Sequence, residues 1–508
     1  MNASTRRGVR FSLSRILILA LLAGKGALAG VRLASPFADG MVLQRDASVP
    51  VWGVADPGER VTVEFAGQAV RATAGADGRW IVRLAPMAAS REGRVLRANG
   101  ATVSDVLVGE VWFCCGQSNA ELPLVGHPHY SDREGRLVAA ITNLDDVRYV
   151  HAGSNRWSPV PRRETPYRVA WKRFRPETLG RSPSFSAVGV YFALALHAAL
   201  DMPIGIVGAY RGGTNIDAWT PREGYEGAPE SLVETRDFSV AGPAEWTDAM
   251  KKDPVSGPEQ QPTVLWNEMV APWCPMSMRG VIWYQGEHNA AESALYCDKM
   301  HALYDGWAKA FGNPNLKLYF VQLAPWHESW WDIWMAQAAF AAEEPNAGMV
   351  VTADIGNSHS IHPADKGPVG RRLAALALKR DYGFSDIVAD SPTIRAVRAE
   401  GDRLVLDFND ADGWYIYSDD RRDSVPFELA GEDGEYRPAR IVNAAYGGQK
   451  AETAGVEQGQ VAGRELVLRA EGVPRPLKVR YLFQRPWTSA LFAMSGLPPG
   501  PFEADVRK

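Results

Sequence analysis

The chain has 508 residues, 46% of them hydrophobic and 22% charged, with 55 Lys+Arg against 59 Asp+Glu and a net charge of −4. This is ordinary globular usage, and it excludes a wholly disordered, a collagenous and a multi-span membrane protein. No global basic field marks a nucleic-acid binder. The length suits about three domains. The one unusual count is 17 Trp; such aromatic faces suit sugars, but they also fill cores.

Residues 1–29 read as an export signal. Arg6, Arg7, Arg10 and Arg15 form a positive start, Ile16 to Leu22 a short apolar run, and Ala27-Leu28-Ala29 a small-residue cleavage site before Gly30. The run is too short to span a bilayer. After cleavage the protein is expected to be periplasmic or secreted, with no stable membrane insertion. Export permits disulfides, but the spacing of Cys114, Cys115, Cys274 and Cys297 fits no zinc motif and leaves any pairing open.

Residues 30–105 alternate like strands. Val61, Val63 and Phe65 face one way, Thr62 and Glu64 the other, and Trp80, Val82 and Leu84 repeat the pattern after the Asp77-Gly78 turn. This predicts an N-terminal β-domain. From 106 the pattern changes. Val106 to Cys115 is an almost continuous apolar run, as for a parallel strand covered on both faces. A helix near Ala187–Leu200, strands Ile204–Tyr210 and Gly280–Tyr284, and a helix over Ser293–Phe311 follow. Strand Leu316–Leu323, helix Trp331–Glu343, strand Met349–Asp354 and helix Val369–Arg380 complete the series. Strands alternating with helices predict an α/β domain over 106–385 with a parallel sheet. The polar stretch 222–262 is a long excursion within it, of the kind that often forms rims or lids. Alternation returns at Leu404, Leu406 and Phe408, then Leu466 and Leu468, then Val479, Tyr481 and Phe483, predicting a second all-β region over 386–508.

Ligands bind at the carboxyl ends of the strands in open α/β sheets, and four polar segments lie there. Gly116-Gln117-Ser118-Asn119 presents a hydroxyl that needs a base to become a nucleophile. Arg211-Gly212-Gly213-Thr214 offers backbone N–H groups suited to an oxyanion hole. Gln285-Gly286-Glu287-His288-Asn289 brings a carboxylate, an imidazole and an amide. Ser358-His359-Ser360-Ile361-His362-Pro363 supplies a candidate general base. Taken alone, each has a plainer reading: a turn, a turn, a capped helix start, a solvated histidine. Together they place nucleophile, backbone donor, amide donor and histidine as acyl transfer requires. His359 and His362 have no third ligand in view, so neither a metal nor a cofactor is expected.

The order Ser118, Gly213, Asn289, His362 resembles the SGNH hydrolases. The stretches "GEVWFCCGQSN", "YRGGTNIDAWTP", "APWCPMSMRGVIWYQGEHNA" and "DIGNSHSIHPADKGPVGRRLA" resemble the sialate O-acetylesterase-like branch, as do "DGMVLQRDASVPVWG" and "SGLPPGPFEADV". The resemblance implies an SGNH-hydrolase-like three-layer domain flanked by β regions, and an acetylated sugar or glycan as substrate. It implies Ser118 as nucleophile, His362 as base, and an oxyanion hole of the Ser118 and Gly213 N–H groups with the Asn289 side chain. In the family an Asp usually precedes the Ile/Val-His-Pro and orients the histidine. Here that position is Ser360, and the Asp closing "DIGD" is Asn357. Glu287 is therefore the candidate acid, expected within hydrogen-bonding reach of His362, with Asp354 in reserve. Gln117 and Trp326 are candidate substrate contacts, Trp326 favoured among Trp326, Trp330, Trp331 and Trp334.

Three functions stay open. The first is an exported serine esterase acting on sugar O-acetyl esters through an acetyl-enzyme. The second is a catalytically weakened carbohydrate-binding protein on the same fold. The third is a glycoside hydrolase, for which the rim offers only Glu287 plainly where two carboxylates are needed.

Overall fold

Trp112 and Phe113 are neighbours on one strand, so their side chains leave opposite faces of the sheet. In the computed structural model each meets a helix. Trp112 packs edge-on against Phe192 of helix Ala187–Leu200, and Phe113 against Trp307 and Phe311 of helix Tyr296–Phe311. That is why Val106 to Cys115 carries no polar alternation: helix, sheet and helix form three layers around it. The structure describes residues 30–506 except 128–129, 153–156, 181–184, 234–256, 328–329, 357–358, 418–425, 447–448, 451–457 and 484–487. The export signal read at 1–29, and Asn357, lie outside the described residues.

The central row of strands runs Lys172–Phe174, Leu144–His151, Ile204–Tyr210, Ala101–Gly116, Gly280–Tyr284, Lys317–Val321, Ala347–Val350. All neighbours are parallel except the first pair. The chain fills one side of Ala101–Gly116, inserting Ile204–Tyr210 last beside it, and then the other side, so the topological switch lies at the carboxyl end of that strand. Helix Lys366–Asp381 packs on Ala187–Leu200, and Gly370 permits the approach: a Cβ there would stand 2.7 Å from the Val188 carbonyl. Helix Trp331–Glu343 lies on the other face, with Phe340 against Phe320.

Strand Ala101–Gly116 continues across the change of pattern at 106. Its first half pairs antiparallel with Ser90–Ala98 and parallel with Val42–Gln44; its second half pairs with the α/β strands. Asp105 marks the transition with a positive φ of 55°, and its carboxylate is held by Arg148 and Arg173. The alternating residues Val61, Val63, Phe65, Trp80, Val82 and Leu84 are all buried, as the period-two pattern requires. Two strands of the row, Leu144–His151 and Lys172–Phe174, go unseen in the sequence because Asp145, Asp146, Arg148, Lys172 and Arg173 break their apolar pattern at the sheet's edge. The helix expected at 293 begins at Tyr296; a kinked 3₁₀ segment, Glu287–Leu295, precedes it.

The C-terminal β region forms a seven-stranded antiparallel sheet whose edge strands, Thr393–Glu400 and Phe502–Asp505, come into contact, so that it nearly closes into a barrel; a five-stranded sheet packs beside it. It touches the α/β domain through Ser489 N–H donating to Ala353 O (2.7 Å) and the Thr488 hydroxyl donating to Gly356 O (3.0 Å). All four cysteines are free thiols, Cys114 and Cys115 buried on their strand. Among the described residues no helix is long and apolar enough to cross a membrane.

Candidate active site

Gly116 ends the long strand with φ +135°, and a Cβ there would fall 2.1 Å from Tyr284 O, so only glycine fits this turn. The turn is tied to both neighbouring strands: Gln117 N–H donates to Tyr284 O (3.0 Å) and Arg211 N–H to Gly116 O (3.1 Å). Ser118 follows, opening the short helix Ser118–Glu121. Its Oγ lies 2.9 Å from His362 Nε2. Sequence positions 244 apart thus meet at the switch point.

The histidine's loop is braced from several sides. Ser360 Oγ accepts from His362 N–H (3.0 Å) and donates to His362 O (3.2 Å). Asn119 Nδ2 donates to Ile361 O (3.0 Å), and Lys366 Nζ donates to Pro363 O (3.0 Å) and to Asn119 Oδ1 (2.5 Å). The carbonyls on either side of His362 are therefore clamped by one amide and one ammonium that also hold each other.

The structure corrects the expected acid contact. Glu287 does not bond His362. Its Oε1 accepts from Asn119 Nδ2 (2.6 Å), and its buried Oε2 has no partner among the described residues. Asn119, one residue beyond Ser118, takes the carboxylate and donates also to the carbonyl of Ile361, the residue before His362. The reserve candidate is also committed elsewhere: both Asp354 oxygens accept from Arg372 at 2.8 Å. His362 Nδ1 meets no carboxylate among the described residues.

The electrostatics follow from this. Burial holds the His362 imidazole well below its usual range, to about 4, with the charges of Lys366 and His127 adding to the effect. Burial also lowers Lys366 to about 7, against the opposing pull of Glu287 and Asp132. Its ammonium lies over the Tyr284 and Tyr130 rings, 5.5 and 5.6 Å from their centres. Burial raises the Glu287 carboxyl, with the Asn119 hydrogen bond working the other way. At neutral pH the histidine is uncharged, as a general base must be.

On the facing loop, the N–H groups of Ser118 and Gly213 donate to no described residue. Gly213 is exposed with φ +70°. Gly212 lies against Ser118, where a Cβ would come 3.3 Å from Ser118 Cβ, and its N–H donates to Glu121 Oε2 (2.5 Å). Gln260, at the end of the long excursion, holds this loop: its Nε2 donates to Gly213 O (2.6 Å) and its Oε1 accepts from Asn215 N–H (3.0 Å).

Asn289 is fully buried. Its Oδ1 accepts from Ile216 N–H (3.0 Å) and Gln285 Nε2 (2.7 Å), which fixes the amide; one Nδ2 proton goes to Glu292 (3.2 Å). Gln117, expected at substrate, is also buried, and its Oε1 accepts from Gly286 and His288 N–H at 3.4 and 3.3 Å. It braces one loop on the next. Of the four tryptophans, Trp330 and Trp334 are core, and Trp334 Nε1 donates to Leu323 O (2.7 Å). Trp331 packs on Phe483, and Trp326 is half-exposed and stacked on Trp330 with centres 5.6 Å apart.

Asn119, Lys366 and Gln260 are the residues that sequence reasoning missed. Asn119 and Lys366 lie inside the motif stretches "GQSN" and "IHPADK"; their polar type was visible, their pairing across 247 positions was not.

Residues 108–379, more than half of the chain, match the family described as carbohydrate esterase, sialic acid-specific acetylesterase. The chain belongs to that family. Human sialate O-acetylesterase is 28% identical over 432 residues, covering 75% of this chain and 76% of its own. The rat sialate O-acetylesterase is 28% identical over 471 residues, covering 82% and 85%. The crystal structure of a carbohydrate acetylesterase from Xanthomonas citri superposes with a TM-score of 0.76 at 29% identity, over 94% of this chain and 100% of that one. All four polar loops fall within the stretch that matches the sialic acid-specific acetylesterase family.

Proposed function

We propose that this family member is an exported serine esterase that hydrolyses O-acetyl esters of sugars through an acetyl-enzyme. The observation that carries the reading is the 2.9 Å contact between Ser118 Oγ and His362 Nε2 at the switch point of the sheet. With Nε2 unprotonated, the hydroxyl donates to it. Ser118 attacks the ester carbonyl as His362 takes its proton. The tetrahedral oxyanion is bound by the Ser118 and Gly213 N–H groups and by the Asn289 amide proton not spent on Glu292. His362 then protonates the departing sugar oxygen, and activates the water that releases acetate. The basic, apolar start and small-residue site at 1–29 support export. Family membership supports an acetylated sugar, with O-acetylated sialic acid foremost.

The reading of a binding protein without catalysis has one observation in its favour, the lack of an acid on His362 Nδ1 among the described residues. Incubation with O-acetylated sialic acid and with acetylated neutral oligosaccharide separates the two. Esterase action releases acetate and leaves the sugar intact. Binding without acetate release supports the alternative, and release of sugar units supports a glycosidase.

A further inference from the structure

We propose that Cys297, His301 and Glu343 form a binding site for a divalent cation of the zinc class, which clamps two helices together outside the Ser118–His362 cluster. Cys297 and His301 stand four apart on helix Tyr296–Phe311, so they share one face. Glu343 closes helix Trp331–Glu343, which packs against it. The three donor atoms lie within 4.8 Å of one another. Glu343 Oε2 is 3.0 Å from His301 Nε2 and 3.6 Å from Cys297 Sγ.

These separations are close to those a metal would impose. Zinc takes sulfur at about 2.3 Å and nitrogen or oxygen at about 2.0–2.2 Å; a tetrahedron of such bonds sets sulfur and oxygen about 3.6 Å apart, nitrogen and oxygen about 3.4 Å. Thiolate, imidazole and carboxylate together are a borderline-soft set that suits zinc over magnesium or calcium. His301 and Glu343 are partly exposed, which gives a cation a route in and a water for its fourth position. The imidazole is already oriented, its ring edge-on to Phe340 with centres 4.8 Å apart. Asp305 stands four residues beyond His301, on the same face of that helix.

The metal-free arrangement leaves the thiol at a disadvantage. The Cys297 Sγ–H donates to Glu343 Oε2 across 3.6 Å, so the proton occupies the place a cation would take. A cation replaces that proton: the S–H bond breaks, the proton passes to water, and a metal–sulfur bond forms with no change of oxidation state. Glu343, which repels a bare thiolate, then shares the cation with it. Without a metal, the exposed His301–Glu343 pair contributes little to stability.

The test uses the purified full chain, stripped with a chelator and dialysed against zinc chloride, with cobalt chloride as a spectroscopic probe. The expected result is one equivalent of zinc per chain, a higher melting temperature, and a thiolate-to-cobalt charge-transfer band. Cys297→Ser should abolish the band, and His301→Ala and Glu343→Gln should each weaken zinc binding at least tenfold. Glu343→Gln preserves side-chain shape, which separates lost ligation from lost packing. Substoichiometric binding, cobalt spectra without the thiolate band, or zinc affinity unchanged in the three variants would overturn the proposal.

Discussion

At the scale of single residues, the loop of His362 is held through its backbone, with no acid on the imidazole among the described residues. A carboxylate that bonds the histidine of a catalytic triad is worth about 10⁴ in turnover when its charge is removed. Glu287 sits one step away, on Asn119, and Glu287→Gln keeps an oxygen to accept from Asn119 Nδ2. Its kcat should therefore fall by no more than about tenfold, far short of the ~10⁴ of a direct partner; steady-state kinetics decide between the two. The pH profile gives a second check. His362 must be neutral to accept the Ser118 proton, and its folded value is about 4. Accordingly kcat/KM, which reports the free enzyme, should stay level as pH falls through 6.5 and drop with an inflection near 4. An inflection near 6.5 would place His362 in solvent. Both buried bases bind protons less readily folded than unfolded, so each destabilises the fold where it is forced to charge. The His362 penalty is complete below about pH 4 and gone above its unfolded value near 6.5; that of Lys366 is complete below about 7 and fades toward 10.5. Stability thus rises with pH across both windows.

At the scale of elements, the strands with continuous apolar runs and the loops that follow them were legible in the sequence, because both signals are local. Ile204–Tyr210 and Gly280–Tyr284 are buried along their whole length, and a polar segment of the candidate site follows each. What was not legible depends on which loop faces which. Glu287 was the first candidate and Asp354 the reserve; only the fold reveals that Asn119 takes one and Arg372 the other. The i, i+4 spacing of Cys297 and His301 was likewise present, but Glu343 joins them only through helix packing. Asn289 tests the loop after Gly280–Tyr284. Its carbonyl is fixed by Ile216 and Gln285, so its amide is preorganised. Asn289→Ala should cost on the order of 10² to 10³ in kcat, as loss of an oxyanion donor does, with little change in KM. A lowered melting temperature with kcat intact would make Asn289 a loop brace.

At the scale of the whole molecule, one buried carboxylate joins the N-terminal β region to the α/β domain. Glu110, wholly buried in the long strand, accepts from Arg45 Nε (2.5 Å), Gln44 Nε2 (3.0 Å), Arg279 Nε (3.1 Å) and Tyr382 OH (2.9 Å). Glu110→Ala leaves two arginines without their shared partner. It should destabilise by about 3 kcal/mol, the low end for a broken buried pair, because both arginines keep some water; denaturant melts measure it, and a change under about 0.5 kcal/mol, as at an ordinary surface site, would contradict this role. Beyond the last strand of the row, Ala347–Val350, the C-terminal β region holds Ala353 and Gly356, just ahead of the histidine loop. The flanking regions thus brace the fold that brings Ser118 and His362 together, the pair to which the proposed function gives the roles of nucleophile and base. The most direct measurement of that claim is acetate release from an O-acetylated sugar by the wild-type chain and by Ser118→Ala, with circular dichroism confirming that the variant is folded. The account predicts turnover by the wild type and none above background by the variant; near-native turnover by a folded Ser118→Ala chain would contradict it.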